Sequence, residues 1–123
     1  MIIGVPKEIK PQESRIGLTP ESTKILTSNG HEVLIENNGG FDAGFDNEQY
    51  LKAGAKIVQK VEDIFNDSEI IVKVKEPLSN EIKMIKENQI VFTYLHLAAA
   101  KELTEGLVKT KSVCIAYETV TDN

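Results

Sequence analysis

The sequence is poor in the residues and patterns that several specialised functions require. One cysteine, Cys114, excludes an internal disulfide framework and any cysteine-based zinc site. It lies in an apolar run, where a thiol is read as an inert core residue. With two histidines and no cysteine cluster, a transition-metal site is not expected. No stretch approaches the roughly 18 apolar residues of a membrane-spanning helix. The start, Met1-Ile2-Ile3-Gly4, has neither the basic region nor the apolar core of a signal peptide, so a cytoplasmic protein is expected. Basic charge is scarce as well: 14 lysines and arginines face 19 acidic residues, a net charge of −5. The basic residues are scattered, which argues against nucleic acid or an anionic membrane as partner.

Glycine is the most telling shortage. A dinucleotide fingerprint needs G-x-G-x-x-G in the first strand-to-helix turn. That turn carries Gly17 alone, in Arg15-Ile16-Gly17-Leu18-Thr19-Pro20. Gly39, Gly40 and Gly44 follow the second predicted strand and do not fit the spacing. No G-K-[ST] occurs, so there is no P-loop. The eight glycines are read as turn and cap residues, and no nucleotide site is visible in the chain.

What is present is an ordinary globular composition, 41% hydrophobic and 27% charged over 123 residues. That length suits one domain burying roughly two thirds of its unfolded surface. No repeat, low-complexity tract or interdomain linker interrupts it. Met1–Val5 reads as a strand stopped by Pro6, and Lys7–Thr19 as a loop whose length marks it as functional or disordered. Thr19-Pro20 is a helix start, an N-cap hydroxyl followed by proline at the first helical position. That helix closes on Gly30 and should turn Ile25 and Leu26 to the core. His31–Glu36 is a strand, and His31 in its turn is read as solvated. Asp46 with Gln49 forms a capping box for a short helix ending near Gly54. Ala55–Gln59 is a weak strand, and Val61, Ile64 and Phe65 stand at helical spacing.

Two stronger runs follow, Ile70–Lys75 and Ile90–Leu95. Between them a helix capped by Ser79 or Asn80 should reach about Glu87, with Ile82 and Ile85 or Met84 inward. Ala100, Leu103 and Leu107 give the inner stripe of a last helix, before a sixth strand from Lys111 or Ser112 to Tyr117. This alternation predicts an α/β fold: a doubly wound, mostly parallel, three-layer sheet, Rossmann-like or flavodoxin-like, without a dinucleotide fingerprint.

Ligands of such sheets bind beyond the carboxyl ends of the strands. Lys75 and His96 stand where the two strong runs give out, and Arg15 lies in the loop after the first strand. Each has a plain alternative. A loop arginine is commonly solvated, although its fork can grip a carboxylate or phosphate. Lys75 can be the polar end of a strand, although Pro77 turns the chain there and fixes its approach. His96 can be a satisfied core histidine, although a strand tip is where a general acid/base belongs. Tyr94, Tyr117 and Glu118 also fall near strand ends, where tyrosine commonly packs.

Several segments together resemble the amino-terminal region of alanine dehydrogenases. They are Met1–Lys10 with Glu13–Pro20, Gly30-His31-Glu32-Val33, the runs containing Lys73-Val74-Lys75-Glu76-Pro77 and Tyr94-Leu95-His96-Leu97-Ala98, and Ala116-Tyr117-Glu118-Thr119-Val120. The likeness covers essentially the whole chain in order. It implies a small-molecule substrate, L-alanine interconverted with pyruvate and ammonia, and NAD as cofactor. By position Arg15 and Lys75 would hold the substrate carboxylate, Lys75 would also polarise the keto oxygen, and His96 would exchange the proton at the substrate oxygen. Members have a substrate domain and an inserted dinucleotide domain. Residues 1–123 are therefore expected to be a single domain, the first part of a substrate domain, with the NAD-binding domain and a returning carboxyl-terminal segment missing. Such a fragment would bind no NADH and would not turn over alone. Its uncovered apolar surface should favour a homo-oligomer. The wider group suggests an alternative, the matching portion of a nicotinamide nucleotide transhydrogenase. A non-catalytic binding or assembly module of the same fold is a third reading.

Overall fold

The structure, a computed structural model, describes residues 1–9, 15–75, 77–93 and, as backbone, 113–116. The predicted last helix and the segment after the sixth strand lie outside the described residues. The elements in order are β1 (Ile2–Val5), α1 (Pro20–Ser28), β2 (Glu32–Glu36), a 3-10 turn at Phe41–Ala43, α2 (Asn47–Lys52) and β3 (Lys56–Val58). Then come α3 (Val61–Asp67), β4 (Ile70–Val72), α4 (Ser79–Ile82), β5 (Ile90–Thr93) and β6 (Val113–Ala116). No helix among the described residues is long and apolar enough to cross a membrane.

The described strands form one six-stranded sheet in the order β3-β2-β1-β4-β5-β6, and each pairing among them is parallel. This is the Rossmann order, in which the winding reverses beside the first strand. β1 is thus central, with Ile3 opposite Val33 on one side and Ile70 on the other. Alternation divides the apolar residues cleanly between two faces. Ile3, Val5, Val33, Ile35 and Val72 pack with Leu26 of α1 and Tyr50 of α2. Leu34, Ile71 and Val91 pack against Ile64 and Phe65 of α3.

The predicted caps are present. Thr19 Oγ1 accepts from Ser22 N–H at 3.1 Å, with Pro20 opening α1. Asp46 accepts from Gln49 N–H at 3.0 Å, while Gln49 Oε1 takes Asp46 N–H at 2.9 Å. The inner face of α1 differs from expectation. Ile25 is 59% exposed, and Thr23 is buried instead. Thr23 donates its hydroxyl to Thr19 O at 2.8 Å, and Thr27 donates to Ala53 O at 2.6 Å. Satisfied threonines at i and i+4 carry the packing stripe, which leaves Ile25, about 200° from Thr23, facing outward. His31 is half-buried rather than solvated, and its Nδ1 has no hydrogen-bond partner among the described residues.

Candidate functional site

Beyond β1 and β4, where the winding reverses, both chains turn charged. Pro6 has no N–H for the ladder, so β1 stops at Val5. Lys7 N–H then donates to Glu36 Oε1, at the end of β2, at 2.7 Å. Glu8 is only 6% exposed. Its carboxylate accepts Val74 N–H at Oε2 (3.0 Å) and Lys75 N–H at Oε1 (3.1 Å). Those two amides are taken from the sheet, which is why β4 ends at Val72 and not at Lys75 as expected.

Lys73, 1% exposed, lies between two carboxylates. Its Nζ is 3.3 Å from Glu8 Oε1 and 3.1 Å from Glu81 Oε2. Glu81 also accepts Leu78 N–H at Oε1 (2.9 Å), so α4 is capped from its third residue and not by the hydroxyl of Ser79. This helix ends at Ile82, short of the expected Glu87, with Ile85 buried beyond it. A buried lysine between two buried glutamates is tolerable because every charge meets an opposite charge or an amide. β5 adds one more tie: the buried Thr93 donates Oγ1 to Lys75 O at 2.8 Å. Nearby, burial pushes the half-buried Glu36 carboxyl above its usual range, and Lys7 and Lys73 pull against that shift.

A cavity of about 340 Å³ opens beside this cluster, lined by Arg15, Ile16, Gly17, Ala43, Phe45 and Val74 among others. Gly17 lets the loop lie against the end of β4, since a Cβ there would stand 2.6 Å from Val72 O. Phe45 meets Tyr50 edge to face, with ring centroids 6.4 Å apart. Tyr50 in turn donates its hydroxyl to Leu18 O at 2.8 Å, and burial pushes its phenol up to about 12.

The predicted residues are distributed as follows. Arg15 is exposed at the cavity wall. Lys75 is half-buried and follows Val74, another lining residue, so the Arg15 loop and the Lys75 segment meet at one place. His96, Tyr94, Tyr117 and Glu118 lie outside the described residues, as does the side chain of Cys114. Four residues were missed: Glu8, Lys73, Glu81 and Thr93. The signal for three of them was Lys73 itself, an ammonium between Val72 and Val74 in an apolar run. Such a cation demands buried carboxylates from elsewhere in the chain.

The first strand-to-helix turn presses Gly17 onto β4, and Thr19 caps the Ser22 amide of α1. Among the described residues, no group of three histidine, cysteine, aspartate and glutamate side chains is placed to hold a metal ion.

Comparison with known proteins gives a consistent answer. The family described as "Alanine dehydrogenase/PNT, N-terminal domain" matches residues 4–123. An alanine dehydrogenase of Staphylococcus epidermidis is 50% identical over 120 residues, which is 98% of this chain and 32% of that protein. A solved L-alanine dehydrogenase superposes with a TM-score of 0.93 at 51% identity, covering 96% of this chain and 32% of the other. A transhydrogenase from Sinorhizobium meliloti superposes with a TM-score of 0.90 at 26% identity, covering 96% and 34%. The chain therefore spans about a third of the length of the relatives it matches. With the family profile running almost from end to end of the chain, these 123 residues belong to the alanine dehydrogenase/PNT N-terminal domain family.

Proposed function

We propose that this chain is the substrate-binding portion of an NAD-dependent alanine dehydrogenase, which interconverts L-alanine with pyruvate and ammonia. The observation that carries the reading is the cavity at the reversal of winding, with Arg15 on one wall and Val74, the neighbour of Lys75, on another. Pyruvate offers a carboxylate beside a carbonyl. Arg15 would take the carboxylate with its planar fork. Lys75 would share that charge and polarise the keto oxygen. As ammonia adds to the carbonyl carbon, the oxygen gains a proton, and His96 would donate it and later help water to leave.

When bound, NAD would supply or accept the hydride of this reaction. The likeness to a transhydrogenase, over 34% of that chain, supplies one alternative. Hydride exchange between two nicotinamides needs neither a carboxylate clamp nor an acid/base at a carbonyl, so Arg15, Lys75 and His96 together favour the dehydrogenase. The lone cysteine suits a reducing, cytoplasmic compartment, and a homo-oligomer is the proposed assembly.

The test is made on the protein that carries these residues. NADH oxidation should require both pyruvate and ammonium, and His96→Asn should lower kcat by about 100-fold or more. Hydride exchange between nicotinamides without keto acid or ammonium would assign the transhydrogenase reading instead. Near wild-type turnover in His96→Asn would remove His96 from the chemistry.

A further inference from the structure

We infer that Glu8 is a positioning residue for Lys75, acting through the backbone of Lys75, and that Lys73 and Glu81 exist to hold Glu8 in that role. This rests on the proposed task of Lys75 at the substrate.

The geometry is specific. The two oxygens of a single carboxylate accept the successive amides of Val74 and Lys75 at 3.0 and 3.1 Å. Thr93 holds the carbonyl of Lys75 at 2.8 Å from the other side. Both peptide groups of Lys75 are thus anchored to side chains, one on the β1 loop and one on β5, although the residue lies outside any strand. A lysine side chain has four rotatable bonds, so its ammonium is placed well only if the backbone beneath it is fixed. Placement is where catalytic power is lost most readily: a displacement of about 1 Å can cost on the order of 100-fold in rate.

The charges fit the same purpose. A buried carboxylate beside the seat of an anionic substrate would repel it. Lys73 contacts Glu8 at 3.3 Å, on the same Oε1 that accepts the Lys75 amide, and offsets that charge. Glu81, at 3.1 Å from the same ammonium, keeps Lys73 from leaving Glu8 for the ligand. The cluster so presents Lys75 forward while holding its own charges against one another.

The experiment is a double-mutant cycle on the protein that carries these residues, assayed as pyruvate- and ammonium-dependent NADH oxidation. Glu8→Gln should lower kcat/KM for pyruvate by about 100-fold, raising its KM, while the KM for NADH stays within about twofold. A merely structural role would reduce the amount of active enzyme and leave the pyruvate KM unchanged. In a Lys75→Ala background, the same Glu8→Gln change should cost less than about twofold, because the group it places is gone. Thr93→Val, nearly isosteric, should behave alike with a loss of about tenfold, and its cycle decides the matter if Glu8→Gln does not fold. The inference is overturned if either loss persists in full on the Lys75→Ala background, or if Glu8→Gln is within about twofold of wild type. A Lys75→Ala enzyme with undiminished kcat/KM would instead strike down the proposed task of Lys75 itself.

Discussion

Two regions of this molecule are almost equally shielded from water and are built on opposite rules. Under α3, Leu34, Ile64, Phe65, Ile71, Ile85 and Val91 fill space between helix and sheet. At the ends of β1 and β4, Glu8, Lys73 and Glu81 fill space just as completely, with charge. In the first region any residue of suitable volume would serve, and the cost of change follows the volume removed. In the second, each group is tolerable only while its named partners remain. Burial alone therefore says little about how a position will respond to substitution.

Replacing one member of each region should expose the difference. Lys73→Met leaves two buried carboxylates facing each other and should cost about 3–5 kcal/mol. Ile71→Val in the apolar region should cost about 1 kcal/mol. Urea unfolding of both variants provides the measurement, and equal losses would mean that the charged cluster behaves as ordinary packing.

Tyr50 belongs to the apolar cluster on the opposite face of the sheet but depends on a polar partner, Leu18 O, so it should show a milder form of the same dependence. Its phenol is held up to about 12 against an ordinary 10.0. The unfolded chain therefore releases this proton first. The stability tied to Tyr50 is complete below about pH 10 and is lost as pH rises toward about 12. Melting temperatures followed from neutral into alkaline solution should fall more gently in Tyr50→Phe than in the parent. Parallel curves would show that Tyr50 ionises as freely folded as unfolded.

The smallest effect should come from Glu36, whose carboxyl burial pushes above the ordinary 4.5. The folded chain keeps that proton more tightly than the unfolded chain. Its contribution is thus present below pH 4.5 and lost as pH rises through the raised value. Glu36→Gln keeps an acceptor for Lys7 N–H and removes the buried charge. It should melt slightly higher at neutral pH and indistinguishably in acid, and a lower melting point at neutral pH would refute this.

The same contrast explains what could be read from the sequence. The apolar region announces itself by period: Val33-Leu34-Ile35 and Ile70-Ile71-Val72 are strands on any reading, and Thr19-Pro20 or Asp46 with Gln49 mark helix starts within a few residues. The α/β class and the strand set followed from such short-range signals. Ile25 misled because an apolar residue in a short helix is expected to face inward, whereas hydroxyls that satisfy themselves on the backbone can pack there instead. The charged region could not be assembled this way. Glu8 and Lys73 lie 65 positions apart, and only the folded topology brings them together. Arg15 and Lys75 were found because position at a strand end is itself a local signal. Lys73 is marked only by its place in an apolar run, and Glu8 and Glu81 bear no mark at all, since a glutamate in a polar stretch looks the same whether solvated or buried.

The central place of β1 has a consequence for how the protein is made. Of the described strands, the first to be synthesised is the one that needs partners on both edges, and the second of these, β4, begins only at Ile70. At roughly 5–20 residues per second, translation leaves one edge of Ile2–Val5 without its native neighbour for several seconds. Parallel pairing over such a span is slow in any case. For that interval the nascent chain presents a short apolar edge to its surroundings, closed only when the later strand arrives.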